Sequence, residues 1–578
     1  MLKEPKTGRL FMTDLEALKA DGKAPEFLTD EGYTTLCGGY LLPGETPADM
    51  YWRVAKAAAI RLNKPDLAQK FFDAMFKGWL CLATPVASNM GAKRGIPISC
   101  YSLTVGDSID YIFSGVHELA IMAKHGGGVG ICFSRVRCRD SDIANSNGKT
   151  EGTIPFLKAY DTTSCAVSQG SVRRGAAVAY LPIEHGDFDE FIRIRRVTGD
   201  QNRQCQNLHH AVTVTDAFMR KVQEGDIEAR RRWLEVLKTR FETGEPYIMW
   251  IDTVNRGNPE TYKKLGLTVE TSNLCSEITG YTDLEHSFVC CLSSLNLAKY
   301  DEWKDTDVVE TAIWFLDGVM EEFIDRASQI HGLEKAVRFA KKGRMLGLGV
   351  LGWHTLLQSK MLPFDSFEAF KLNSKIFKQL REQADKATMN LGAEYGEPEW
   401  CVGSGRRNTH CLAVAPTTSN ATIVGNVSPS IEPCAANSFV KKQAKGTFIQ
   451  HNQVLKKILA SYGKDTSETW KDISNNEGSV QHLPFLSAIE KEVFLTAREI
   501  NQLAIIKQAA ARQKYIDQAQ SVNLFFPVNV DPKFVHLVHM EGWLQGLKTL
   551  YYCRTGSVLK ADVASRAFDT QTCASCEA

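Results

Sequence analysis

Short apolar runs alternate with amphipathic segments from residue 96 to residue 540, and this alternation constrains the fold more than any other feature. Residues 175–182 are almost all apolar, as expected for a strand covered on both faces. Within 307–330, apolar side chains recur every three or four residues, which predicts a helix. Residues 347–352 predict another buried strand or a close-packed turn. Alternating strands and helices predict an α/β fold with a parallel sheet, and periodicity alone does not decide between an open sheet and a barrel.

The two ends of the chain differ from this central region. Residues 1–95 predict mostly helices, including one whose apolar positions run from Met50 to Ile60. Residues 560–578 are small and polar and predict a flexible tail that carries two cysteines. The sequence therefore predicts a mainly helical N-terminal region over 1–95, an α/β domain over 96–540 and a C-terminal segment over 541–578.

Charge and composition exclude several classes of protein. The 68 basic and 67 acidic residues give a formal net charge of +1, which argues against nucleic acid as a partner. The N-terminus lacks the apolar core of a signal peptide, and no run reaches the ~18 apolar residues of a membrane span. We therefore expect a soluble cytoplasmic protein, in which the 16 cysteines are thiols and some are redox-active.

Residues 273–277 are the strongest candidates for chemistry. The Cys275 thiol lies two positions from the Asn273 amide and two from the Glu277 carboxylate. In an extended or tightly turned backbone, positions two apart point to the same side, so all three would face one reactant. A thiol serves as nucleophile or radical carrier, a carboxylate as base and an amide as hydrogen-bond partner. The alternative is a cysteine buried as a small hydrophobic residue beside two solvated polar ones.

Two polar loops are candidate phosphate sites. The loop 168–175 precedes an apolar strand, and its Arg173 would either bind phosphate or belong to a solvated surface pair with Arg174. Residues 415–422 offer several hydroxyl groups. If a helix begins there, its N-terminus would bind an anion; otherwise the hydroxyls are an ordinary helix cap.

Two residue pairs near the C-terminus each have two interpretations. Cys573 and Cys576 have redox spacing, whereas a zinc site would need two further ligands that the neighbouring sequence does not offer. Tyr551 and Tyr552 are either packing residues or a functional pair. Adjacent side chains of a strand point to opposite faces, so two buried tyrosines in a row would be unusual there.

Several of these segments together resemble the large subunit of class I ribonucleotide reductase. Residues 273–278 resemble the finger-loop motif of that family, and residues 550–555 resemble its radical-transfer tyrosine pair. Residues 98–100 and 290–297 resemble the segments that hold the two reducing cysteines. The resemblance implies a ten-stranded α/β barrel with a central finger loop, preceded by a mainly helical N-terminal region. No N-terminal ATP-cone domain is expected, because too few residues precede Thr84.

The resemblance implies specific roles for the finger loop and the cysteines. Cys275 would carry a thiyl radical that takes the 3′ hydrogen of a ribonucleotide, with Glu277 as base on the 3′ hydroxyl and Asn273 as hydrogen-bond partner of the sugar. Cys100 and Cys290 would supply two electrons and become a disulfide, with Cys291 only a neighbour. The tail cysteines Cys573 and Cys576 would then reduce that disulfide, and thioredoxin or glutaredoxin would reduce the tail.

The same resemblance implies two nucleotide sites and a partner. Substrate diphosphate is expected at five hydroxyl residues, Thr84, Ser99, Thr417, Thr418 and Ser419. A deoxynucleoside triphosphate or ATP effector is expected at Asp107, Ser108 and Arg137, beside a homodimer interface, with Gln169 and Arg173 carrying its signal to the substrate. Tyr551 and Tyr552 would relay a radical from the metal cofactor of a small subunit, because the sequence shows no metal site and the resemblance implies no cofactor bound by this chain.

Two other functions stay open at this point. A cobalamin-dependent class II ribonucleotide reductase shares the barrel and the thiols, but it does not need the tyrosine relay and usually has Pro and Gly where this chain has Leu274 and Ser276. A non-catalytic nucleotide-binding regulator would keep the fold without the chemistry. The resemblance implies diphosphate substrates, but the sequence itself does not decide between di- and triphosphates. It also does not distinguish a cellular protein from a viral one in the host cytoplasm.

Overall fold

The computed structural model describes residues 15–144, 147–167, 175–196, 199–443 and 446–556. The helices are α1 (Leu15–Ala20), α2 (Asp30–Cys37), α3 (Pro47–Arg61), α4 (Leu67–Phe76), α5 (Thr84–Asn89), α6 (Ile109–Lys124), α7 (Ile154–Val167), α8 (Phe188–Phe191), α9 (Asp216–Glu224), α10 (Ile227–Thr243), α11 (Ile251–Arg256), α12 (Glu260–Leu265), α13 (Tyr300–Trp303), α14 (Val308–Ala327), α15 (Glu334–Gly343), α16 (Trp353–Ser359), α17 (Phe367–Tyr395), α18 (Thr418–Ile423), α19 (Gln453–Ser461), α20 (Ser467–Asn475), α21 (Ala488–Val493), α22 (Gln502–Gln513) and α23 (Pro532–Leu544). The strands are β1 (Leu80–Leu82), β2 (Cys100–Thr104), β3 (Gly128–Cys132), β4 (Ala176–Pro182), β5 (Leu208–Val214), β6 (Tyr247–Trp250), β7 (Phe288–Asn296), β8 (Leu346–Leu351), β9 (Ser438–Gln443), β10 (Gly446–His451), β11 (Leu524–Phe526), β12 (Thr549–Leu550) and β13 (Cys553–Thr555).

Five strands in chain order, β2 to β6, pair in parallel and form one half of the sheet. Parallel neighbours need a crossover connection, and helices such as α6, α7 and α10 lie between successive strands. All five residues of β2 and of β3 are buried, which matches strands covered on both faces. The predicted strand over 175–182 is confirmed as β4.

The second half of the sheet runs antiparallel to the first. Strand β7 pairs antiparallel with β2, and β8 pairs parallel with β7. Two isolated bridges continue this order, because Leu348 of β8 pairs in parallel with Leu412, and Val414 pairs in parallel with Gln520. The segment after Gln520 leads into β11, which pairs in parallel with β13.

The sheet closes on itself where the two halves meet again. Strand β12 pairs antiparallel with β6, and it runs through Tyr551 and Tyr552 into β13. The amide of Tyr551 donates to the Val522 carbonyl at 2.9 Å, and the amide of Leu524 donates to the Tyr552 carbonyl at 3.0 Å. Ten strand segments therefore form a ring, in the order β2 to β6, 549–555, 518–526, 410–414, β8 and β7. The expectation of a ten-stranded α/β barrel is confirmed.

A loop occupies the inside of this barrel and is held closely by the first half. In β3, Gly128 and Gly130 face the loop, since residues two apart point to one side. A Cβ added at Gly130 would run into the carbonyl oxygen of Ser272 in the loop. The Tyr180 hydroxyl of β4 donates to the Asn273 carbonyl at 2.9 Å. This is the position expected for the finger loop.

The helical N-terminal part packs on the outside of the second half. Helix α14 is the predicted helix of 307–330, and 15 of its 20 residues are buried. It packs against α3 and α4 of the N-terminal region and against β7 and β8 of the barrel. Within this layer, Asp317 receives two hydrogen bonds from Arg344, at 2.9 and 3.0 Å, and one from Arg407 at 3.1 Å. No helix of the described residues is both long and apolar enough to cross a bilayer.

We predict that Gly130→Ala lowers the free energy of unfolding by about 2 kcal/mol, because overpacking against backbone forces the central loop to move. Gly128→Ala on the same strand is the matched control. Its Cβ would meet the flexible Leu274 side chain at 3.0 Å, so the loss should be clearly smaller. Urea denaturation of both variants measures the difference, and equal losses would contradict the close approach of loop and strand.

Candidate active site

The central loop presents Asn273, Cys275 and Glu277 inside the barrel through a tight turn. The Ser276 amide donates to the Asn273 carbonyl at 3.2 Å, and Ser276 itself has a left-handed φ of 63°. The Asn273 side-chain oxygen accepts from the Ile278 amide at 3.2 Å. The Asn273 Nδ2 is buried and has no hydrogen-bond partner among the described residues, so a ligand would have to satisfy it.

The second half of the barrel holds the other side of the loop. The Ser521 hydroxyl contacts the Cys275 carbonyl at 2.6 Å and the Glu277 Oε2 at 3.2 Å. The Ala519 amide donates to the Glu277 carbonyl at 2.9 Å. Both halves therefore fix the loop, and the side chains of Cys275 and Glu277 are buried with it.

Cys100 and Cys290 lie directly opposite each other in the antiparallel pair of β2 and β7. Directly opposed residues in such a pair have Cα atoms about 4.5–5.5 Å apart, which is within the range for a disulfide. Cys291 is next in the strand and so points to the other face. In β8, the absence of a side chain at Gly347 leaves room for the Cys290 sulfur, since a Cβ there would lie 3.0 Å from it.

The Cys290 thiol lies in an environment that opposes its ionisation. Burial is the largest cause that raises its pKa well above the ordinary value, and Cys100, Cys291 and Glu277 add to the shift. The Glu277 carboxylate of the central loop is thus one of the charges that act on the Cys290 thiol. A hydrogen bond from Gln518 acts in the opposite direction. Thiols kept protonated in this way can donate hydrogen atoms.

Tyr551 and Tyr552 form a ring cluster with a third tyrosine. The centroids of the Tyr551 and Tyr552 rings are 4.3 Å apart, and the Tyr247 ring lies 4.6 Å from the first and 5.0 Å from the second. The two tyrosines lie between β12 and β13, so their rings meet rather than point to opposite faces. Sequence reasoning missed Tyr247, since β6 is remote in the chain and carries no motif.

A buried charge cluster flanks these rings. The Glu245 carboxylate contacts His209 at 2.6 Å, His210 at 3.3 Å and Arg195 at 3.5 Å. Burial alone would raise the pKa of Glu245, but Arg195 and the two histidines hold it well below 4.5. The Tyr247 hydroxyl lies 3.4 Å from the His209 Nδ1. The cluster therefore places a fixed negative charge and a cation beside the tyrosines.

The predicted substrate hydroxyls lie around the helical N-terminal region. Thr417 precedes α18, so a helix does begin in the 415–422 segment, and the Thr417 hydroxyl accepts from the Ser430 amide at 2.8 Å. Helix α2 packs on α18, and Tyr40 after it contacts the Thr84 hydroxyl at 2.8 Å. Thr418 and Ser419 are half-buried on α18. Ser99 is buried next to Cys100, and its carbonyl accepts from the Gly128 amide at 2.6 Å.

The predicted effector residues come together at the start of α6. Arg137 Nε donates to Asp107 Oδ2 at 2.8 Å, and the Arg137 amide donates to Asp107 Oδ1 at 3.2 Å. Ser108 caps α6, since its hydroxyl accepts from the Tyr111 amide at 3.2 Å. Gln169 and Arg173, like Cys573 and Cys576, lie outside the described residues. Among the described residues, no group of three or more His, Cys, Asp or Glu side chains could hold a metal ion.

Comparison with known proteins agrees with this geometry. Residues 26–95 match the family described as ribonucleotide reductase, all-alpha domain, and residues 98–226, 223–403 and 399–553 match ribonucleotide reductase, barrel domain. The chain is 42% identical over 509 residues to a ribonucleoside-diphosphate reductase large-subunit relative in Frog virus 3 (isolate Goorha), covering 85% of this chain and 88% of that one. The ribonucleoside-diphosphate reductase large subunit of Invertebrate iridescent virus 3 is 36% identical over 569 residues, covering 86% and 89%. The solved Actinobacillus ureae class Id ribonucleotide reductase alpha subunit is 40% identical, covers 93% of this chain and 99% of its own, and superposes with a TM-score of 0.86.

We predict that Glu245→Gln lowers the free energy of unfolding by about 3 kcal/mol at pH 7, because it leaves the Arg195 guanidinium without its counter-charge. The folded-state pKa of Glu245 is below the ordinary 4.5, so the contribution is fully present above that value and is lost as pH falls further. The gap between wild type and variant in urea denaturation should therefore shrink below pH 4.5. Glu242→Gln is the control, because Glu242 is 40% exposed and 3.9 Å from Arg196. A loss as large for Glu242→Gln would contradict the assignment.

Proposed function

The chain belongs to the family of class I ribonucleotide reductase large subunits, and we propose that it reduces ribonucleoside diphosphates to 2′-deoxyribonucleotides by thiyl-radical chemistry. The observation that carries this proposal is the placement of Cys100 opposite Cys290 with the Glu277 carboxylate of the central loop nearby. Residues that acted separately at the surface would not have to be enclosed together, whereas here three thiols and a carboxylate lie inside one barrel.

Each residue of the site has a defined role in this reaction. The Cys275 thiyl radical takes the 3′ hydrogen of the ribose, and Glu277 takes the proton of the 3′ hydroxyl while Asn273 Nδ2 hydrogen-bonds the sugar. The 2′ hydroxyl leaves as water. Cys100 and Cys290 supply two electrons and two protons and become a disulfide, so one ribonucleotide and two thiols give one deoxyribonucleotide, one disulfide and one water.

Burial suits this chemistry. A radical on carbon or sulfur reacts with other molecules unless the site excludes them, and Cys275 and Glu277 are held inside a closed ring of strands. Because burial raises the pKa of the Cys290 thiol, Cys290 stays protonated and can give up a hydrogen atom. The disulfide is then reduced by Cys573 and Cys576, and these by thioredoxin or glutaredoxin.

The radical enters through the tyrosines from a small subunit that holds the metal cofactor. The contact between the Tyr551 and Tyr552 rings, whose centroids are 4.3 Å apart, supports this path. The Tyr551 backbone amide also donates to the Val522 carbonyl, and Val522 is next in the chain to the Ser521 that holds Cys275. A cobalamin-dependent enzyme would not need such a pair of tyrosine rings in contact. The class I assignment therefore stands over the class II alternative.

Nucleotide binding and control complete the proposal. The substrate diphosphate binds Thr417, Thr418 and Ser419 at the start of α18, with Thr84 and Ser99 nearby. A deoxynucleoside triphosphate or ATP binds at Asp107, Ser108 and Arg137, and the loop holding Gln169 and Arg173 carries the signal to the substrate base. Helix α6 exposes three large apolar residues beside this site, Ile109, Tyr111 and Phe113, which supports a homodimer interface there. The reaction belongs in the cytoplasm, or in the host cytoplasm for a viral protein, where thiols remain reduced.

The decisive test is reduction of a ribonucleoside diphosphate with dithiothreitol and a deoxynucleotide effector. We expect turnover only when the cognate small subunit is added, and none with adenosylcobalamin alone. Cys275→Ser and Tyr552→Phe should abolish it, because the first removes the radical carrier and the second a redox-active hydroxyl. Cys165→Ser and Tyr462→Phe are matched controls on exposed residues and should retain it. Turnover with cobalamin alone would overturn the relay, and activity in Cys275→Ser would overturn the proposal.

A second prediction concerns the effector site. Arg137→Ala removes the guanidinium that fixes Asp107. We expect the effector Kd to rise by about tenfold, as for the loss of one charge-assisted hydrogen bond, and the effector to lose its influence on which substrate is reduced. Arg139→Ala two residues away, on a half-exposed arginine paired with Glu151, is the control. Equal effector affinity in the two variants, measured by equilibrium binding, would contradict this site.

A further inference from the structure

A glutamine that no motif singles out contacts one of the two paired cysteines. Gln518 is fully buried, and its Nε2 lies 3.9 Å from the Cys290 sulfur and 2.7 Å from the Leu346 carbonyl. The carbonyl can only accept, so it fixes the orientation of the amide with the NH₂ group towards the sulfur. The backbone of Gln518 is also fixed, because its amide donates to Leu412 at 3.2 Å.

The two cysteines of the pair are not equivalent. Cys100 is 8% exposed and Cys290 is 1% exposed, so an incoming group reaches Cys100 more readily. The Cys290 sulfur lies between β8 and Gln518, in the space left by Gly347. Burial, the neighbouring thiols and Glu277 all disfavour a negative charge on Cys290, whereas the hydrogen bond from Gln518 favours it.

We propose that Gln518 makes reduction of the Cys100–Cys290 disulfide directional: an incoming thiolate attacks the Cys100 sulfur, and Cys290 leaves as the thiolate that the Gln518 amide stabilises. This inference rests on the proposed function, since it concerns the disulfide that the function forms. A thiolate leaving group departs faster when its charge is stabilised. An N–H donor held against the sulfur meets this requirement without moving.

The exchange balances in two steps. The incoming thiolate forms a bond to the Cys100 sulfur, and the bond between the Cys100 and Cys290 sulfurs breaks with its electron pair on Cys290, which then takes a proton. The second thiolate of the reductant attacks the mixed disulfide and releases Cys100 as a thiolate. The dithiol reductant is oxidised to its disulfide, and it supplies both electrons.

The first experiment identifies the attacked sulfur in the wild-type chain. Oxidised protein is treated with 2-mercaptoethanol, a monothiol, for short times, quenched with acid, and analysed by peptide mass spectrometry. We expect the early 2-mercaptoethanol adduct on Cys100. An adduct chiefly on Cys290, or equal adducts on both, would overturn the inference and leave the proposed function standing. Failure of the oxidised chain to contain a Cys100–Cys290 disulfide would instead overturn the function and the inference together.

The second experiment tests Gln518 itself. Gln518→Met keeps the side-chain length and removes the donor, so we expect reduction by dithiothreitol to slow by about tenfold and part of the adduct to move to Cys290. Gln518→Glu offers a carboxylate that cannot donate when ionised, so reduction of its disulfide should fall further behind the wild-type rate as pH rises. Gln520→Met is the matched control. Gln520 is a buried glutamine two residues away that donates to Ala509 at 3.0 Å and to Gln513 at 3.0 Å.

The Gln520→Met control distinguishes an effect on which sulfur is attacked from an effect on folding. A merely structural role for Gln518 would lower stability in urea without changing the attacked sulfur or the pH profile of reduction. We expect Gln520→Met to keep both the adduct on Cys100 and the wild-type profile. An unchanged adduct distribution and reduction rate in Gln518→Met would overturn the role of this residue, and the wild-type adduct experiment decides the direction even if a variant does not fold.

Discussion

The contact between the central loop and the barrel wall is the constraint on which the rest of the structure depends. The loop fits because Gly130 has no side chain where the Ser272 carbonyl passes, and because Ser521 on the opposite half binds the Cys275 carbonyl at 2.6 Å. The two contacts come from opposite halves of the barrel, so the loop receives both of them only when the ring of strands is closed. Once the loop is fixed, the positions of Cys275 and Glu277 relative to Cys290 are fixed as well.

Enclosure also sets the chemistry of the thiols. Burial disfavours the charged form of a thiol, and the pKa of Cys290 is raised for this reason above all. A protonated buried thiol suits hydrogen-atom transfer, whereas a reducible disulfide needs a sulfur that can leave with negative charge. The Gln518 amide lies where these two requirements meet, because its hydrogen bond to the Cys290 sulfur favours the thiolate.

Much of the architecture follows from sequence patterns. The helix predicted at 307–330 and the strand predicted at 175–182 are confirmed as α14 and β4. Both could be predicted because the spacing of apolar residues in a long helix, or their unbroken run in a covered strand, is visible in the local sequence. For the segment at 347–352 the sequence predicted either a strand or a close-packed turn, and the structure has the strand β8 there. Closure of the barrel did not follow from the pattern. It depends on the pairing of 410–414 with 518–526, segments too short and irregular to show a strand period.

The sequence by itself determined which side chains are candidates for chemistry: the thiol of Cys275 between an amide and a carboxylate, the two tyrosines in succession, and the hydroxyl-rich segment at 415–422. Only the tertiary structure decided which distant residues meet them. Register places Cys290 rather than Cys291 opposite Cys100, and the fold places Tyr247 against both Tyr551 and Tyr552 and Gln518 against the Cys290 sulfur. The physical reason is that a side chain's identity is local, whereas its neighbours depend on strand register, where a slip of one residue turns every side chain to the other face.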